Sequence, residues 1–235
     1  MSIKRKVFIT GAIVILVLIG GFFLYVSNYY RAEDVAFAVL EKDNNYTVDG
    51  NLTVLFPTSS YDSAIIFYPG AKVETEAYLP ILDQIRSKGI LCILVEMPFH
   101  MAIFDSNAGE DIIEKFPDIK HWYMAGHSMG GAMASKFAAD HKEDIDGVIL
   151  LGAYLYGDYP EEDTLTIYGS LNQSVEDKID YTENIVEIEG GNHAQFGNYG
   201  MQKGDVPATI TTQEQQKQAV DSIIEFITIE YQHYN

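Results

Sequence analysis

The sequence predicts an α/β fold in which a mostly parallel, doubly wound sheet lies between layers of helices. Two observations predict it. Short runs rich in β-branched and aromatic residues, each ended by Gly or Pro, recur along the 235-residue chain, and helical patterns separate them. Buried parallel strands are near-continuous apolar runs, and alternation of strand and helix over roughly 190 residues is typical of this fold class.

Six apolar runs predict the parallel strands: AIIFYP, GILCILVEMP, HWYMAG, GVILLGA, TLTIYG and ENIVEIEG. Before them, YTVDGNLTVLFP alternates apolar and polar positions, which predicts a half-exposed antiparallel strand. Helices are predicted for ETEAYLPILDQIRSKG, SNAGEDIIEKFPD, SMGGAMASKFAADH, a short piece around SVEDKID, and TTQEQQKQAVDSIIEFITIEYQ. The last begins with Thr211 and Glu214 in capping-box spacing.

The N-terminal part of the chain predicts a membrane anchor. Residues 1–6 are basic, and residues 7–26 are twenty residues without a charge, enough to cross a hydrocarbon core of about 30 Å. Lys4, Arg5 and Lys6 precede this segment and only Arg31 closely follows it, so the positive-inside bias places the following domain outside the cell. A cleaved signal peptide is the alternative, but LYVSNYY offers no A-x-A-like cleavage site. We therefore expect a retained anchor, a short helical stalk over residues 27–45 and one globular domain over residues 46–235.

Charge and motif content exclude several partners and cofactors. The chain after Arg31 carries all 34 acidic residues but only 11 of the 15 basic ones, a net charge of −23, which would repel nucleic acid and anionic lipid headgroups. Cys92 is the only cysteine and lies in an apolar run, so we expect a core residue and no intrachain disulfide. The chain has no H-E-x-x-H, P-loop or G-x-G-x-x-G, and no metal, ATP or dinucleotide is implied.

The G-x-S-x-G motif in AGHSMGG predicts a nucleophile. Ser128 falls where a predicted strand ends and a predicted helix begins, between Gly126 and Gly130. Such a turn exposes the serine Oγ above the sheet, and the N–H of the next residue, Met129, can hold an oxyanion. The alternative, a small-residue helix start packed against its strand, is less compatible with strand before and helix after.

Two loops supply candidate partners for Ser128. His193, in GGNHAQFG just after a predicted strand, is the candidate general base. In FYPGAKVETEAY, the Ala71 N–H is the candidate second oxyanion donor and Lys72 the next choice. Of the other histidines, His127 is expected to serve packing or turn geometry within the elbow, and His100 is a candidate for the mouth of the site.

Together GHSMGG, YPGAKVE, VEMPFHMAIF and GGNHAQFGNYG resemble the small, lidless α/β-hydrolases, and among them a membrane-anchored bacterial subgroup related to dienelactone hydrolases. The resemblance covers about residues 50–230. It implies an α/β-hydrolase fold without a lid domain and a Ser–His–acid hydrolase outside the cytoplasm, with Ser128 as nucleophile, His193 as base, and Ala71 and Met129 as oxyanion donors. Only AYLYGDYPEED separates GVILLGA from TLTIYG, so we expect an open site suited to a small carboxylic ester or lactone.

The acid of the triad departs from the family pattern. That pattern resembles G-S-x-D after TLTIY, whereas this chain has Gly-Ser-Leu-Asn, so Asn172 stands where the aspartate is expected. An asparagine can accept the histidine Nδ1–H but brings no charge, and Asp→Asn in a serine protease triad costs about 10⁴ in turnover. Glu176 is the preferred carboxylate substitute, and Asp177 and Asp158 are alternatives. The sequence therefore leaves two hypotheses open: a membrane-anchored serine esterase, or a catalytically weakened hydrolase fold that binds a ligand or a partner.

Overall fold

An eight-stranded sheet forms the centre of the protein in a computed structural model, which describes residues 2–42 and 44–233, with side chains to residue 229. The ends of the predicted segments at residues 1 and 234–235 lie outside the described residues. The strands are β1 (Tyr46–Asp49), β2 (Leu52–Leu55), β3 (Ser63–Tyr68), β4 (Leu91–Val95), β5 (His121–His127), β6 (Gly147–Leu151), β7 (Thr164–Gly169) and β8 (Ile185–Ile188). Their order is β1-β2-β4-β3-β5-β6-β7-β8, antiparallel from β1 to β4 and parallel from there on.

Seven helices accompany the sheet in the described part of the chain: α1 (Ile3–Ser27), α2 (Asp34–Lys42), α3 (Leu79–Arg86), α4 (Ala108–Lys115), α5 (Met129–Asp140), α6 (Gln173–Glu176) and α7 (Thr212–His233). Short 3₁₀ turns lie at Thr75–Tyr78, Pro98–His100, Ala102–Phe104 and Ala194–Phe196. The predicted doubly wound sheet is thus confirmed. The connection from β6 to β7, residues 152–163, contains no helix, so no lid rises from it.

Both faces of β3 to β7 are buried, as their apolar sequences require. The edge strand β8 differs from the predicted buried strand: Glu187 is exposed, and Ile185 and Val186 are only half-buried. In β3, Ile65 and Phe67 pack towards α3 and α7, whereas Ala64 and Ile66 pack towards α4 and α5. The predicted capping box of α7 is confirmed: Glu214 N donates to Thr211 Oγ1 at 3.2 Å, and Thr211 N donates to Glu214 Oε2 at 2.8 Å. Cys92 is a buried core residue, as expected.

The segment YTVDGNLTVLFP forms two strands, not the single strand that its alternation predicts. β1 and β2 pair as a hairpin in which Asp49 lies opposite Leu52, so Gly50 and Asn51 are the two-residue loop. Gly50 has φ +60°, and Gly-Asn is a preferred loop sequence for such tight hairpin turns, because glycine accepts the positive φ of the first loop position. The turn residues therefore override the alternation pattern.

Within the predicted stalk, residues 27–45, helix α2 and the residues before it pack on the domain. Ala36 and Val39 of α2 are buried, and Val39 joins the core beside α3. Upstream of α2, Tyr30 pairs with Val73 in a parallel bridge, and the Ala32 N–H donates to Glu74 Oε2 at 2.7 Å. These contacts fix the segment to the loop after β3.

Helix α1 is long and apolar enough to cross a membrane. It has 25 residues and a mean hydropathy of 2.8 over its most apolar window, none of which is buried by the protein. Because a signal sequence near an N-terminus has the same properties, this helix is a candidate span. Only its C-terminal end contacts the domain closely, and Val26 is buried there.

Candidate active site

Ser128 occupies a strained turn between β5 and α5. Its backbone lies at φ 54° and ψ −122°, a region in which a residue other than glycine costs of the order of 1–3 kcal/mol. The Ser128 N–H donates to the Leu151 carbonyl at the end of β6, at 3.0 Å. A Cβ on Gly130 would clash with the Tyr68 carbonyl oxygen, and a Cβ on Gly126 with the backbone of Gly130. The two glycines therefore allow the strand, the turn and the helix to approach closely, as a nucleophile elbow requires.

His193 comes to the same edge of the sheet through the loop after β8. The buried Gln215 of α7 holds this loop with two hydrogen bonds to the Asn192 backbone: Asn192 N donates to Gln215 Oε1 at 3.0 Å, and Gln215 Nε2 donates to Asn192 O at 2.8 Å. Because both groups of one side chain are used, the turn before the histidine is fixed in position and in rotation.

Asn172 is the side chain beside His193 Nδ1. The Asn172 Nδ2 atom lies 2.8 Å from His193 Nδ1, and Asn172 Oδ1 accepts from Ser174 Oγ at 2.9 Å. An amide nitrogen only donates, so in this orientation Nδ1 accepts and a neutral imidazole carries its proton on Nε2. With the amide turned by 180°, Oδ1 would accept from Nδ1–H and Nδ2 would donate to Ser174 Oγ. Both orientations satisfy every hydrogen bond, so Asn172 does not select one tautomer as an aspartate would.

The three carboxylates considered as substitutes lie elsewhere. Glu176 and Asp177 are exposed at the end of α6, and neither is among the residues that line the cleft containing His193. Asp158 is exposed and its carboxylate pairs with Lys142 Nζ at 2.9 Å. The structure therefore brings Asn172, and not Glu176, to His193.

Asp205 is a carboxylate of this site that the sequence reasoning missed. Its Oδ1 accepts from the His193 N–H at 3.3 Å, and its Oδ2 accepts from the Ala194 N–H at 2.8 Å. It reaches the histidine from a loop twelve residues further on, outside the position at which the fold usually supplies its acid. The sequence signal that could have found it is weak: an Asp before Val-Pro in a Gly-rich loop.

Among the described residues, the backbone N–H groups of Ala71, in the loop after β3, and of Met129 have no acceptor. Met129 lines the cleft that contains Ser128, whereas Ala71 is not among its lining residues. Met129 is the first residue of α5, so its N–H lies at the positive end of the helix. The Lys72 N–H, in contrast, donates to the His100 carbonyl at 2.7 Å. Because this N–H is engaged, the structure does not support Lys72 as an oxyanion donor.

His127 and Tyr78 connect the two loops beneath the elbow. His127 Nε2 lies 2.9 Å from the His193 carbonyl oxygen, which can only accept, so Nε2 carries the proton. His127 Nδ1 then accepts from the Tyr78 hydroxyl at 2.8 Å, and the same hydroxyl accepts from the Gly70 N–H at 3.1 Å. Both side chains are fully buried. The expectation that His127 serves the geometry of the elbow agrees with this chain of bonds.

Burial lowers the pKa of both histidines. Desolvation lowers the pKa of His193 below its ordinary value of 6.5, and the Asp205 carboxylate raises it in part. The pKa of His127 lies well below its ordinary value, first because of burial and second because of the nearby His193. Both imidazoles are therefore neutral at pH 7, and a neutral His193 is the form that can accept a proton.

Ser128, Asn172 and His193 share one open cleft of about 550 Å³. Other residues from the ends of β6 and β7, from α5 and from the loop after His193 complete its wall: Met129, Ala132, Gly152, Ala153, Tyr154, Leu171, Gln173, Ser174, Val175, Lys178, Gln202, Lys203, Gly204, Asp205 and Val206. His100, the candidate for the mouth of the site, is not among them. Its ring packs on Tyr29 at a centroid distance of 4.0 Å.

Comparisons with known proteins identify the family. The model of the alpha/beta hydrolase family matches residues 64–217, which is more than half of the chain. The protein therefore belongs to the alpha/beta hydrolase family, as the motifs predict. Comparison with the curated proteins gives no match.

Several solved structures are similar to this chain at low sequence identity. Est1E from Butyrivibrio proteoclasticus is 15% identical, covers 78% of this chain and 98% of its own, and superposes with a TM-score of 0.53. A dienelactone hydrolase from Anabaena variabilis is 15% identical over 74% of this chain and 90% of its own, with a TM-score of 0.49. A carboxyl esterase from Bacillus coagulans is 18% identical, with a TM-score of 0.36. The matched region covers 46% of this chain and 43% of the esterase.

Proposed function

We propose that the protein is a membrane-anchored serine hydrolase that faces outwards and cleaves a small carboxylic ester or lactone through an acyl-enzyme. The observation that carries the proposal is the strained Ser128 elbow in the same cleft as a neutral His193. Family membership and the carboxyl-edge location of both residues support it. The open cleft and the short connection between β6 and β7, which contains no lid, favour a small acyl group.

In the proposed reaction, Ser128 Oγ attacks the ester carbonyl while its proton passes to His193 Nε2. The carbonyl oxygen becomes an oxyanion, which the Ala71 and Met129 N–H groups hold. When the intermediate collapses, the bond to the leaving oxygen breaks and His193 returns the proton to that oxygen. Water then attacks the acyl-enzyme by the same steps and releases the acid and free Ser128. The step requires the tautomer with Nε2 unprotonated, so the Asn172 amide must present Oδ1 to His193 Nδ1.

Active-site labelling tests this proposal. The full-length protein in detergent should react with a fluorophosphonate probe, and Ser128→Ala should not, because the probe needs an activated serine. Ser87→Ala is the control, since Ser87 is an exposed serine at the end of α3 and does not line the cleft; it should still react. Equal labelling of the Ser128→Ala variant and the unaltered protein would show that Ser128 is not the nucleophile.

A second function has one observation in its favour. In the orientation that donates to His193 Nδ1, the Asn172 amide leaves the imidazole proton on Nε2. A protonated Nε2 cannot accept the Ser128 proton. A fold held in that state would bind an ester-like ligand or a partner without turning it over. A screen of short p-nitrophenyl esters separates the two: Ser128-dependent turnover supports the hydrolase, and its absence together with saturable ligand binding supports the binding protein.

A further inference from the structure

The loop between β4 and α4 exposes a cluster of large apolar side chains. We call residues Pro98–Phe104 the aromatic loop. Phe99, Ile103 and Phe104 are 43%, 57% and 50% exposed. Neighbouring exposed apolar side chains of this size mark a contact surface for a partner or a membrane. Nothing in the proposed hydrolase reaction uses them.

The cluster is continuous with the apolar surface of α1. The Phe22 ring lies 5.2 Å from the Phe99 ring and 6.0 Å from the Phe104 ring, measured between centroids, and Phe23 lies 6.2 Å from Phe99. Phe99 and Phe104 also contact each other at 5.6 Å. The aromatic loop therefore extends the exposed apolar surface of α1 sideways onto the domain.

The position of Phe22 along α1 sets the depth of the loop. Phe22 precedes Val26, the last residue of the predicted apolar span, by four residues, which is about 6 Å along a helix. Protein segments that lie in the membrane interface bury their apolar faces about 5–10 Å deep. If α1 spans a bilayer, side chains that contact Phe22 lie within this interfacial layer.

The backbone holds the loop in place at both sides. Phe99 and His100 have φ of 57° and 55°, an arrangement that costs residues with a Cβ of the order of 1–3 kcal/mol each and so needs support from its surroundings. The His100 carbonyl accepts from the Lys72 N–H, and the His100 ring packs on Tyr29. The aromatic loop thus contacts both the loop after β3 and the segment that follows α1.

Polar aromatic and cationic groups surround the exit of α1, as they do at a membrane interface. Lys72 Nζ lies 4.1 Å from the centre of the Tyr25 ring, and the Arg31 guanidinium lies 4.1 Å from that of Tyr29. Arg31 also pairs with Glu74 at 3.3 Å. Because the domain is strongly acidic, apolar burial and not net charge is the available attraction to lipid.

We propose that the aromatic loop is a second membrane contact, whose partner is the lipid of the outer leaflet. Together with α1 it holds the carboxyl edge of the sheet, where Ser128 and His193 lie, at the bilayer surface. The inference rests on the proposed function in one respect, the membrane-spanning role of α1. A lipid partner fits better than a protein partner because the cluster continues the lipid-facing surface of α1 at interfacial depth.

Depth-dependent quenching tests the proposal on the full-length protein in phosphatidylcholine vesicles. A polarity-sensitive dye is attached through Ile103→Cys, and through Tyr61→Cys as the matched control. Tyr61 is 38% exposed and lies before β3, at the opposite edge of the sheet. Burial raises the pKa of the Cys92 thiol, so Cys92 stays unlabelled. We expect nitroxide placed near the lipid headgroups to quench the dye at position 103 and aqueous iodide to quench the dye at position 61.

A third label separates failure of the inference from failure of the anchor. Val14 lies in the middle of α1, and a dye on Val14→Cys should be quenched by nitroxide deep in the acyl chains. If position 14 is quenched and position 103 behaves like position 61, the anchor stands and the second contact is wrong. If position 103 is shielded from iodide and from lipid nitroxide alike, protein covers it and the lipid partner is wrong. If position 14 is not quenched, α1 does not span the membrane, and both the anchor and the second membrane contact are wrong.

A double variant tests which side chains make the contact. In a Phe99→Ser/Phe104→Ser background, quenching of the position 103 dye by lipid should fall towards the value at position 61. The dye on Tyr61→Cys in the same background reports whether the domain is still folded. Unchanged lipid quenching at position 103 would contradict a contact made by these rings.

Discussion

The amide of Asn172 lies against His193 Nδ1, with Nδ2 at 2.8 Å. An aspartate at this position would accept the Nδ1–H and stabilise the imidazolium that forms as the serine attacks. Asn172 can do the first only in one of two equally bonded orientations, and it cannot do the second. In the proposed reaction, we therefore expect this pair to set the rate of the site.

Replacement of Asn172 by Asp should therefore raise kcat. The carboxylate selects the productive tautomer and adds the missing charge, and the corresponding reverse change costs about 10⁴ in a serine protease, so a gain of about tenfold or more is expected. The measurement is kcat for p-nitrophenyl acetate on the full-length protein in detergent. Asn172→Ala, which removes the hydrogen-bond partner of His193 Nδ1, is the control and should have a lower kcat than the unaltered protein. A kcat for Asn172→Asp no higher than that of the unaltered protein would show that position 172 is not the acid position.

Asp205 should control the pH dependence of the reaction. His193 is active as a base when unprotonated, and the Asp205 carboxylate raises a pKa that burial lowers. Asp205→Asn removes this charge, so the pKa of His193 falls further and the acid limb of log kcat/KM moves to lower pH. The plateau should fall as well, because the developing imidazolium loses a nearby negative charge.

The matched control for Asp205 is Glu176→Gln, which removes an exposed carboxylate outside the cleft. Both the acid limb and the plateau should stay as in the unaltered protein. If instead Glu176→Gln moves the profile and Asp205→Asn does not, Glu176 is the acid after all and the assignment made from the structure is wrong.

Tyr78→Phe should destabilise the fold. The change removes the acceptor of the Gly70 N–H and the donor to His127 Nδ1, and a buried polar group left without a partner costs about 1–3 kcal/mol. Thermal unfolding followed by circular dichroism should show a lower midpoint. Tyr156→Phe, at a tyrosine that is 51% exposed, should leave the midpoint unchanged. Equal midpoints for the two variants would mean that the buried chain of bonds adds nothing.

Gly130→Ala should prevent the elbow from forming. The added Cβ would meet the carbonyl oxygens of Tyr68 and Pro69, and main-chain atoms in the centre of the sheet have no room to move away. We expect loss of fluorophosphonate labelling and a strongly reduced yield of folded protein. Gly11→Ala is the control, since a Cβ there meets nothing within 4 Å in α1; its labelling and yield should match those of the unaltered protein.

Local sequence patterns predicted those features whose cause is local. The runs HWYMAG and GVILLGA are buried strands because the side chains on both of their faces are almost all apolar. Helix α7 begins where Thr211 and Glu214 can exchange hydrogen bonds. The same reasoning missed the β1–β2 hairpin, where the turn preference of Gly50-Asn51 prevails over an unbroken alternation. It predicted a helical segment within residues 27–45 but not the burial of Ala36 and Val39, because that burial depends on partners distant in the chain.

By itself, the sequence determined the fold class, the family and the elbow that presents Ser128, since each depends on short-range periodicity, glycine spacing or short sequence motifs. It also showed that an asparagine stands where an aspartate is expected. Only the tertiary structure decided which groups surround His193: Asn172 at Nδ1, Asp205 on its backbone, and His127 with Tyr78 beneath it. These four groups come from four separate segments of the chain, and their approach depends on how strands and helices pack, which no local pattern encodes.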